Sequence, residues 1–247
     1  DRVLEVRYVG VDALDLEELE PRLLMEGGQL LNQYYLQQDK ALLEEEYAKE
    51  GYLFAEIATH VISKKRGLVV EYQAHEGPKV RVDEIVFRGN EHFESTFLED
   101  VMATSEFALL GILDSGIFSR EELEKDLDNL HKLHRGEGYL DARVFLEDLE
   151  FNDDRDRVKL YIRIVEGPRY QVRSIRVKGV KVFDPAEIEQ AIALKEGEPF
   201  SGRALSSSVS TIKDKYADRA YIETRVQVDF RYPEEGHRVD LVFDIAE

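Results

Sequence analysis

The chain contains the same pattern three times in succession, and this repeat limits the possible folds more than any other feature. Each copy closes on a glutamate, and non-polar residues stand 2, 4, 6 and 8 positions before it. The three sets are Leu68, Val70, Tyr72 and Ala74 before Glu76; Val158, Leu160, Ile162 and Ile164 before Glu166; and Val239, Leu241, Phe243 and Ile245 before Glu247. Alternation of this kind predicts a β-strand with one face in a core. Small tandem modules favour a binding array over an enzyme built around one pocket.

Composition excludes several classes of function. The chain of 247 residues has 52 acidic and 33 basic side chains, a net charge of −19 and no cysteine. Such a surface repels phosphate and anionic lipid, which disfavours nucleic-acid binding and nonspecific membrane binding. Disulfides and thiolate metal sites are excluded. No apolar run is long enough for a membrane-spanning helix, and a start at Asp1 leads us to expect a mature or excised fragment.

Each repeat is predicted to run strand, helix, helix, strand, strand. The first strands are placed at Leu4–Val9, Val80–Phe87 and Gln171–Val177, and each is followed within two residues by a glycine: Gly10, Gly89 and Gly179. The second helix is clearest in the middle repeat, where Ser119 and Glu122 form a capping box. Non-polar or aromatic residues then recur at helical spacing. The aligned positions are Leu123, Leu127, Leu130 and His134; Leu205, Val209, Ile212 and Tyr216; and Leu36, Lys40, Leu43 and Tyr47, where Lys40 interrupts the stripe.

Two further landmarks frame the hairpins. Gly51-Tyr52 and Gly138-Tyr139 are suited to end a helix, because a glycine just past a helix adopts the left-handed conformation easily; the third repeat has Ala220-Tyr221. Glu-Gly-Pro recurs at the junctions, and proline restricts the backbone there. We therefore predict domains at 1–77, 78–167 and 168–247. Semi-rigid hinges are expected at Gly77, Pro78, Gly167 and Pro168.

Taken together, these features resemble POTRA (polypeptide-transport-associated) domains of BamA-type outer-membrane assembly factors. The stretch from Gly116 to Leu127, followed by Gly138-Tyr139-Leu140-Asp141-Ala142, is the most family-like. The resemblance implies an α+β fold of three tandem domains, each β-α-α-β-β, with two helices packed on a three-stranded mixed sheet. By analogy with five-domain relatives, the insertion near 107–118 suggests domains two to four.

The resemblance also implies a function without an enzyme activity, cofactor or metal. The segment is expected at the periplasmic face of the outer membrane of a Gram-negative bacterium, ahead of a C-terminal membrane β-barrel that is not part of this chain. Its expected partners are unfolded outer-membrane β-barrel proteins and accessory lipoproteins or chaperones, and no nucleic acid. Two alternatives stay open: a related secretion or autotransporter-assembly transporter, and a purely structural scaffold.

In this fold the first strand of each hairpin is implied to lie at a sheet edge. An edge strand has unpaired N–H and C=O groups, and an extended segment of another polypeptide can add to it. The predicted protein-binding residues are Arg143, Val144, Phe145, Leu146, Glu147, Val226, Gln227, Val228, Ile57 and Thr59. In the middle repeat the alternation changes phase near Glu147-Asp148, which predicts a β-bulge. That bulge either blunts the edge against aggregation or shapes a docking edge.

Competing sites in the sequence have simpler explanations. His131 and His134 could hold a metal, but His134 matches Tyr47 and Tyr216 and is expected in the core. The run 152–156 is acidic but lacks the spacing of a calcium loop, and its residue types are normal in hairpin turns. The apolar insertion at 107–118 is expected to pack locally, with a partner or membrane-proximal contact as the alternative.

Overall fold

The structure, a computed structural model, describes residues 1–108, 116–233 and 236–247, and it confirms the order of elements in each repeat. The first repeat contains β1 (Val3–Val9), α1 (Leu16–Leu19, followed by a 3₁₀ turn), α2 (Gln33–Lys49), β2 (Glu56–Lys64) and β3 (Gly67–His75). The second contains β4 (Arg81–Arg88), α3 (Ser95–Val101), α4 (Arg120–Gly136), β5 (Arg143–Phe151) and β6 (Arg157–Val165). The third contains β7 (Gln171–Lys178), α5 (Pro185–Glu189), α6 (Gly202–Asp218), β8 (Arg225–Arg231) and β9 (Arg238–Ala246).

The last strand of each repeat is the central strand of a three-stranded sheet. The strand orders are β1-β3-β2, β4-β6-β5 and β7-β9-β8. In the first and third sheets the opening strand is parallel to the central one and the hairpin strand is antiparallel. The mixed-sheet α+β fold is thus confirmed. Because the central strand has a neighbour on each side, its alternating residues are almost fully buried, as Leu241 and Phe243 show.

The second helix of each repeat covers one face of its sheet. The predicted stripes are confirmed in part: Leu43, Tyr47, Leu130, Ile212 and Tyr216 are fully buried, whereas Lys40, Leu127, Leu205 and Val209 are half-buried. His134 is also buried, as expected from its alignment with the two tyrosines, and its ring packs edge-on against Phe93. Each fully buried leucine or isoleucine of these stripes contributes roughly 1.5–3 kcal/mol by leaving water.

A buried polar position on the second helix escaped the sequence analysis. Asp39, Asp126 and Ser208 occupy equivalent positions, and each accepts an N–H from the segment after the first helix. Asp39 accepts the Leu24 and Met25 N–H groups at 2.6 and 2.9 Å, and the Tyr72 hydroxyl at 2.8 Å. Burial and this bond raise the pKa of Tyr72. The Asp39 carboxylate therefore satisfies three donors that would otherwise be buried without partners.

A closing carboxylate ties the end of the central strand to the rest of its repeat. Glu76 accepts the N–H groups of Asp12 and Ala13 and the hydroxyl of Tyr47, at 2.6 to 2.8 Å. Glu247 does the same with Lys181, Val182 and Tyr216. Burial alone would raise the pKa of Glu76, but these hydrogen bonds outweigh it and lower the pKa below its ordinary value of 4.5.

The middle repeat builds this connection differently. Glu166 accepts the backbone N–H of His92 at 2.7 Å, but His134 stands where the other repeats have the tyrosine donor. His134 Nδ1 lies 2.7 Å from the Leu130 carbonyl, which can only accept, so Nδ1 carries the proton. Its Nε2 lies 3.8 Å from Glu166 and has no hydrogen-bond partner in the described chain.

The residue that ends each second helix is left-handed in all three repeats. Its φ is 90° at Gly51, 100° at Gly138 and 67° at Ala220. A Cβ at Gly51 would lie 2.6 Å from the Ile117 side chain, and one at Gly138 would lie 2.8 Å from the Phe200 carbonyl oxygen. The left-handed conformation favours glycine at Gly51 and Gly138 and the close neighbours leave no room for a Cβ there, whereas Ala220 adopts the same conformation with a methyl group.

By compactness the chain divides into two units. One comprises Asp1–Arg88, Ser95–Leu127 and Leu146–Ile162, and the other comprises Gly89–Glu94, Asp128–Phe145 and Arg163–Glu247. The first unit holds a core around Leu43, Tyr47 and Tyr72. The second holds a core around Ile212, Tyr216 and Phe243.

Replacing Ala220 with glycine is expected to stabilise the third repeat. Left-handed backbone costs an L-residue about 1 kcal/mol that glycine does not incur, so the free energy of unfolding should rise by about that amount. Thermal and denaturant unfolding measure the change. Gly138→Ala is the matched reverse variant and should destabilise by more, because its methyl group also collides with the backbone. Equal stability of Ala220→Gly and the parent would contradict the strain at Ala220.

Replacing Glu76 with glutamine should reduce the pH dependence of stability. The pKa of Glu76 is lower in the folded than in the unfolded chain, so its stabilisation is present above its ordinary pKa of 4.5 and is lost as the pH falls through the folded value. We expect Glu76→Gln to cost about 1–3 kcal/mol near pH 7 and to flatten the loss of stability on acidification. Denaturant unfolding at several pH values measures both, with exposed Glu91→Gln as the control. A pH profile of stability for Glu76→Gln that runs parallel to that of the unsubstituted chain would contradict this expectation.

Candidate protein-binding edges

The first strand of each hairpin lies at a sheet edge, as expected. Strands β2, β5 and β8 each neighbour only the central strand of their sheet. On the outer side of each strand the sheet leaves alternate N–H and C=O groups unpaired. The chemical capacity of these edges is therefore to pair with extended backbone.

Strand β8 carries three of the predicted binding residues. Val226, Gln227 and Val228 pair with Ile245, Asp244 and Phe243 of the central strand. The side chains of Val226, Val228 and Phe230 pack against the core of the third repeat, and Gln227 is exposed on the other face. The strand is thus anchored by its side chains, while its outer backbone faces away from the sheet.

The direction of the outer backbone groups follows from one hydrogen bond. The Ile57 N–H lies 3.4 Å from a Glu44 carboxylate oxygen, so it points away from β3. Ile57 pairs with Ala74, and Val226 pairs with Ile245, each two residues before the closing glutamate. Val226 therefore occupies the same register, and its N–H also points outward. Since the direction alternates along an antiparallel strand, Thr59 and Val228 present the next outward N–H groups.

Strand β5 changes phase at the predicted place. Val144 and Leu146 are partly buried and Phe145 is 43% exposed. Glu147 and Asp148 are then both exposed, after which Leu149 and Phe151 are half-buried. The Leu149 N–H bonds to the Asp148 carboxylate at 2.9 Å, and Glu147 pairs with Arg88 at 2.9 Å. The edge from Arg143 to Glu147 is therefore short. Beyond it, the Asp148 carboxylate accepts the Leu149 N–H.

The first predicted hinge is flanked by packed residues. Gly77 is left-handed, with φ of 67°. Beyond it, the Val80 N–H donates to the Gly51 carbonyl at 2.8 Å. The Phe54 ring lies 5.2 Å from that of Phe151, and the Arg155 guanidinium lies 5.0 Å from the Phe54 ring. Aromatic and cation–π contacts of this kind add to the backbone link across Gly77-Pro78.

The second predicted hinge, at Gly167-Pro168, has an equivalent link. The Tyr170 N–H donates to the Gly138 carbonyl, and its hydroxyl donates to Asp141, both at 2.8 Å. Leu140, next to the Gly-Tyr landmark, is part of the hydrophobic core of the third repeat. No role was assigned to Leu140 and Asp141 from the sequence, although their position directly after the Gly138-Tyr139 landmark was visible in the sequence.

The remaining sequence candidates form no site in the described residues. The 152–156 run is a hairpin turn, as expected: the Asn152 N–H donates to the Arg157 carbonyl, and the Arg157 N–H donates back to the Asn152 side chain. No group of three or more His, Asp or Glu in the described ranges has metal-binding geometry, and no helix there has the length and hydropathy to cross a membrane. Of the insertion at 107–118, residues 109–115 lie outside the described residues; Phe118 is buried, and the Arg157 guanidinium lies 4.1 Å from the Phe107 ring.

Comparison with known proteins places these repeats in one family. The POTRA family model, described as a surface antigen variable number repeat, matches residues 2–77, 80–167 and 170–247. The outer-membrane protein assembly factor BamA of Neisseria meningitidis serogroup B is 24% identical over 220 residues, which are 88% of this chain and 28% of the relative. BamA of Nitratidesulfovibrio vulgaris is 23% identical over 252 residues, 99% of this chain and 32% of the relative.

A solved structure shares the fold across the full chain. The crystal structure of Haemophilus influenzae BamA POTRA3-5 aligns with a TM-score of 0.56 and 18% sequence identity. The alignment covers 100% of this chain and 96% of the solved chain. The chain spans about a third or less of the length of the curated relatives it matches. Since the family model matches nearly every residue, the chain belongs to the POTRA family, and the curated relatives that it resembles over most of its length are outer-membrane protein assembly factors.

Proposed function

We propose that this segment receives unfolded outer-membrane β-barrel proteins in the periplasm and pairs with them by strand addition. The observation that carries the proposal is the edge position of the hairpin strand in each repeat, with outward N–H groups at Val226 and Val228 of the third repeat facing away from their own sheet. Unfolded barrel proteins consist of segments that will become strands, so their backbone offers the complementary groups. As POTRA repeats of an assembly factor, the domains are not catalytic.

Strand addition gives weak and broad recognition. Each backbone hydrogen bond contributes about 0.5–1.5 kcal/mol net, and a short edge offers only a few. One edge alone therefore binds at roughly millimolar affinity. Several edges on one chain raise the effective concentration of a client that is already held by one of them. A transient, sequence-tolerant receptor of this kind can pass a client onward.

The wider assignments rest on the family. We propose the domain boundaries 1–77, 78–167 and 168–247, a location at the periplasmic face of the outer membrane, and a membrane β-barrel of the same protein as the destination of the client. Accessory lipoproteins or chaperones are proposed to dock on the same kind of edge, including Arg143–Glu147. The packed contacts around Gly77 and Gly167 support semi-rigid hinges, since they limit the motion that the glycines allow.

Replacing Val228 with proline should impair client binding without removing a ladder bond. The Val228 N–H points outward, so proline deletes an edge donor and places its ring where an added strand would lie. We expect the affinity of the third repeat for a urea-diluted outer-membrane barrel polypeptide to fall about five- to tenfold, as the loss of a bond worth about 1 kcal/mol and a steric clash imply. Fluorescence anisotropy of a labelled client measures it.

The matched control is Val228→Ala, which trims the same side chain but keeps the N–H. Circular dichroism establishes that both variants are folded before binding is compared. Equal client binding by folded Val228→Pro and Val228→Ala would favour a purely structural scaffold.

A further inference from the structure

Each sheet has a second edge, formed by the opening strand, and its beginning is covered in the same way in all three repeats. The segment between the two helices exchanges two backbone hydrogen bonds with one residue of this strand. These pairs are Val3 with Gln29 and Gly28, Val82 with Gly116 and Phe107, and Val172 with Glu198 and Gly197, at 2.7 to 2.9 Å. Strand addition is blocked over this stretch because the backbone groups already have partners.

In the second and third repeats a carboxylate extends this cover. The Ile85 N–H donates to Glu106 and the Ile175 N–H donates to Glu196, both at 2.9 Å. Each isoleucine stands three residues after the covered valine, and each glutamate immediately precedes the residue that bonds to that valine. Each carboxylate thus accepts the outward N–H with which a docking strand would form its first hydrogen bond.

The first repeat lacks this carboxylate. By the same counting, Val6 takes the place of Ile85 and Ile175, and Gly27 takes the place of Glu106 and Glu196. The register agrees, because Val6 and Ile175 each follow the same irregularity of the parallel ladder. Within the described part of the chain no side chain accepts the Val6 N–H. Tyr8 presents the next outward group, since direction alternates along the strand.

On the hairpin edges the first repeat has a covering carboxylate and the second and third repeats have none at the equivalent position. In the first repeat Glu44 of α2 accepts the outward Ile57 N–H, and Lys40 lies 3.5 Å from that carboxylate. The equivalent positions of α4 and α6 hold His131 and Lys213, which carry no carboxylate. A glutamate therefore accepts one outward N–H of the hairpin edge in the first repeat, and one outward N–H of the opening-strand edge in the other two.

We propose that the first repeat accepts a client strand along β1, at Val6–Val9, on the side of its sheet opposite to that used by the second and third repeats. The inference rests on the proposed function and specifies the docking edge. Groups that alternate every second residue, about 6.6–7 Å apart, match an extended strand and no helix. The occupant is an extended client segment with alternating apolar and polar residues.

The side chains around β1 fit such an occupant. Val6 and Tyr8 pack against the core on the helical side, and Tyr8 stacks on Tyr72 with 5.8 Å between ring centroids. Leu4 and Val9, at the two ends, are 45% and 41% exposed and can cover apolar client side chains. On the open face Glu5 and Arg7 pair with each other at 2.8 Å, so neutral polar client residues suffice there.

The test uses a photo-crosslinking amino acid at one edge position at a time, in the intact chain, with a urea-diluted outer-membrane barrel polypeptide as the probe. The positions are Val9 on β1, Val61 on β2, Phe145 on β5, Lys178 on β7 and Gln227 on β8. We expect adducts at Val9, Phe145 and Gln227 and at least about fivefold fewer at Val61 and Lys178, where a carboxylate accepts the first free outward N–H of the edge.

Two variants move the carboxylate. Gly27→Glu should reduce the Val9 adduct at least about fivefold. Gly27→Ala is its control, since a Cβ at Gly27 lies 3.1 Å from the Leu4 carbonyl oxygen and needs only a small shift. Glu196→Ala should raise the Lys178 adduct by a similar factor. This second variant adds no atoms, so it remains informative if Gly27→Glu does not fold.

The outcomes separate this inference from the function on which it rests. Adducts at Phe145, together with a Val9 adduct that is absent or unchanged in folded Gly27→Glu, would overturn the β1 edge and leave client binding intact. No adduct at any edge would overturn the proposed function itself. Adducts between two copies of the chain at Val9, with a concentration-dependent mass in sedimentation, would show that a second copy rather than a client occupies β1.

Discussion

The position of the last strand at the centre of its sheet is the constraint on which each repeat depends. Tyr72 and Phe243 are buried because strands flank β3 and β9 on both sides and a helix covers one face. The closing glutamate then connects this strand to the second helix and to the segment that leaves the opening strand. Since these bonds replace water around a partly buried carboxylate, the repeat is held at the point where its backbone would otherwise fray.

A central last strand also leaves two edges on every three-stranded sheet. Such edges are a liability in most proteins, because they invite pairing with other chains. Here the inter-helix segment covers part of each opening strand, and single carboxylates cover one further N–H. The edges that stay open are therefore the result of a few specific side chains, and the proposed recognition of unfolded strands depends on the same feature that risks aggregation.

The repeats share a scaffold but differ at the positions that face these edges. Glu44, His131 and Lys213 are equivalent on the second helix, as are Gly27, Glu106 and Glu196 before the opening strand. The core positions vary less, although His134 stands where the other two repeats have tyrosine and Ser208 stands where they have aspartate. Greater divergence at the edges than in the core is consistent with three modules that bind in different ways.

The amino-acid sequence by itself determined the three-fold repeat, the order of elements, the stripe through Leu43 and Tyr47, the phase change in β5 and the resemblance to POTRA domains. These follow from local periodicity and from glycine and proline, whose effects act within a few residues. It did not reveal Asp39, Asp126 and Ser208 as buried acceptors, because a polar residue on a helix reads as exposed until its partners are known. Only the tertiary structure decided which edges Glu44, Glu106 and Glu196 cover, since each of those hydrogen bonds joins residues that are distant in the chain and carry no shared pattern.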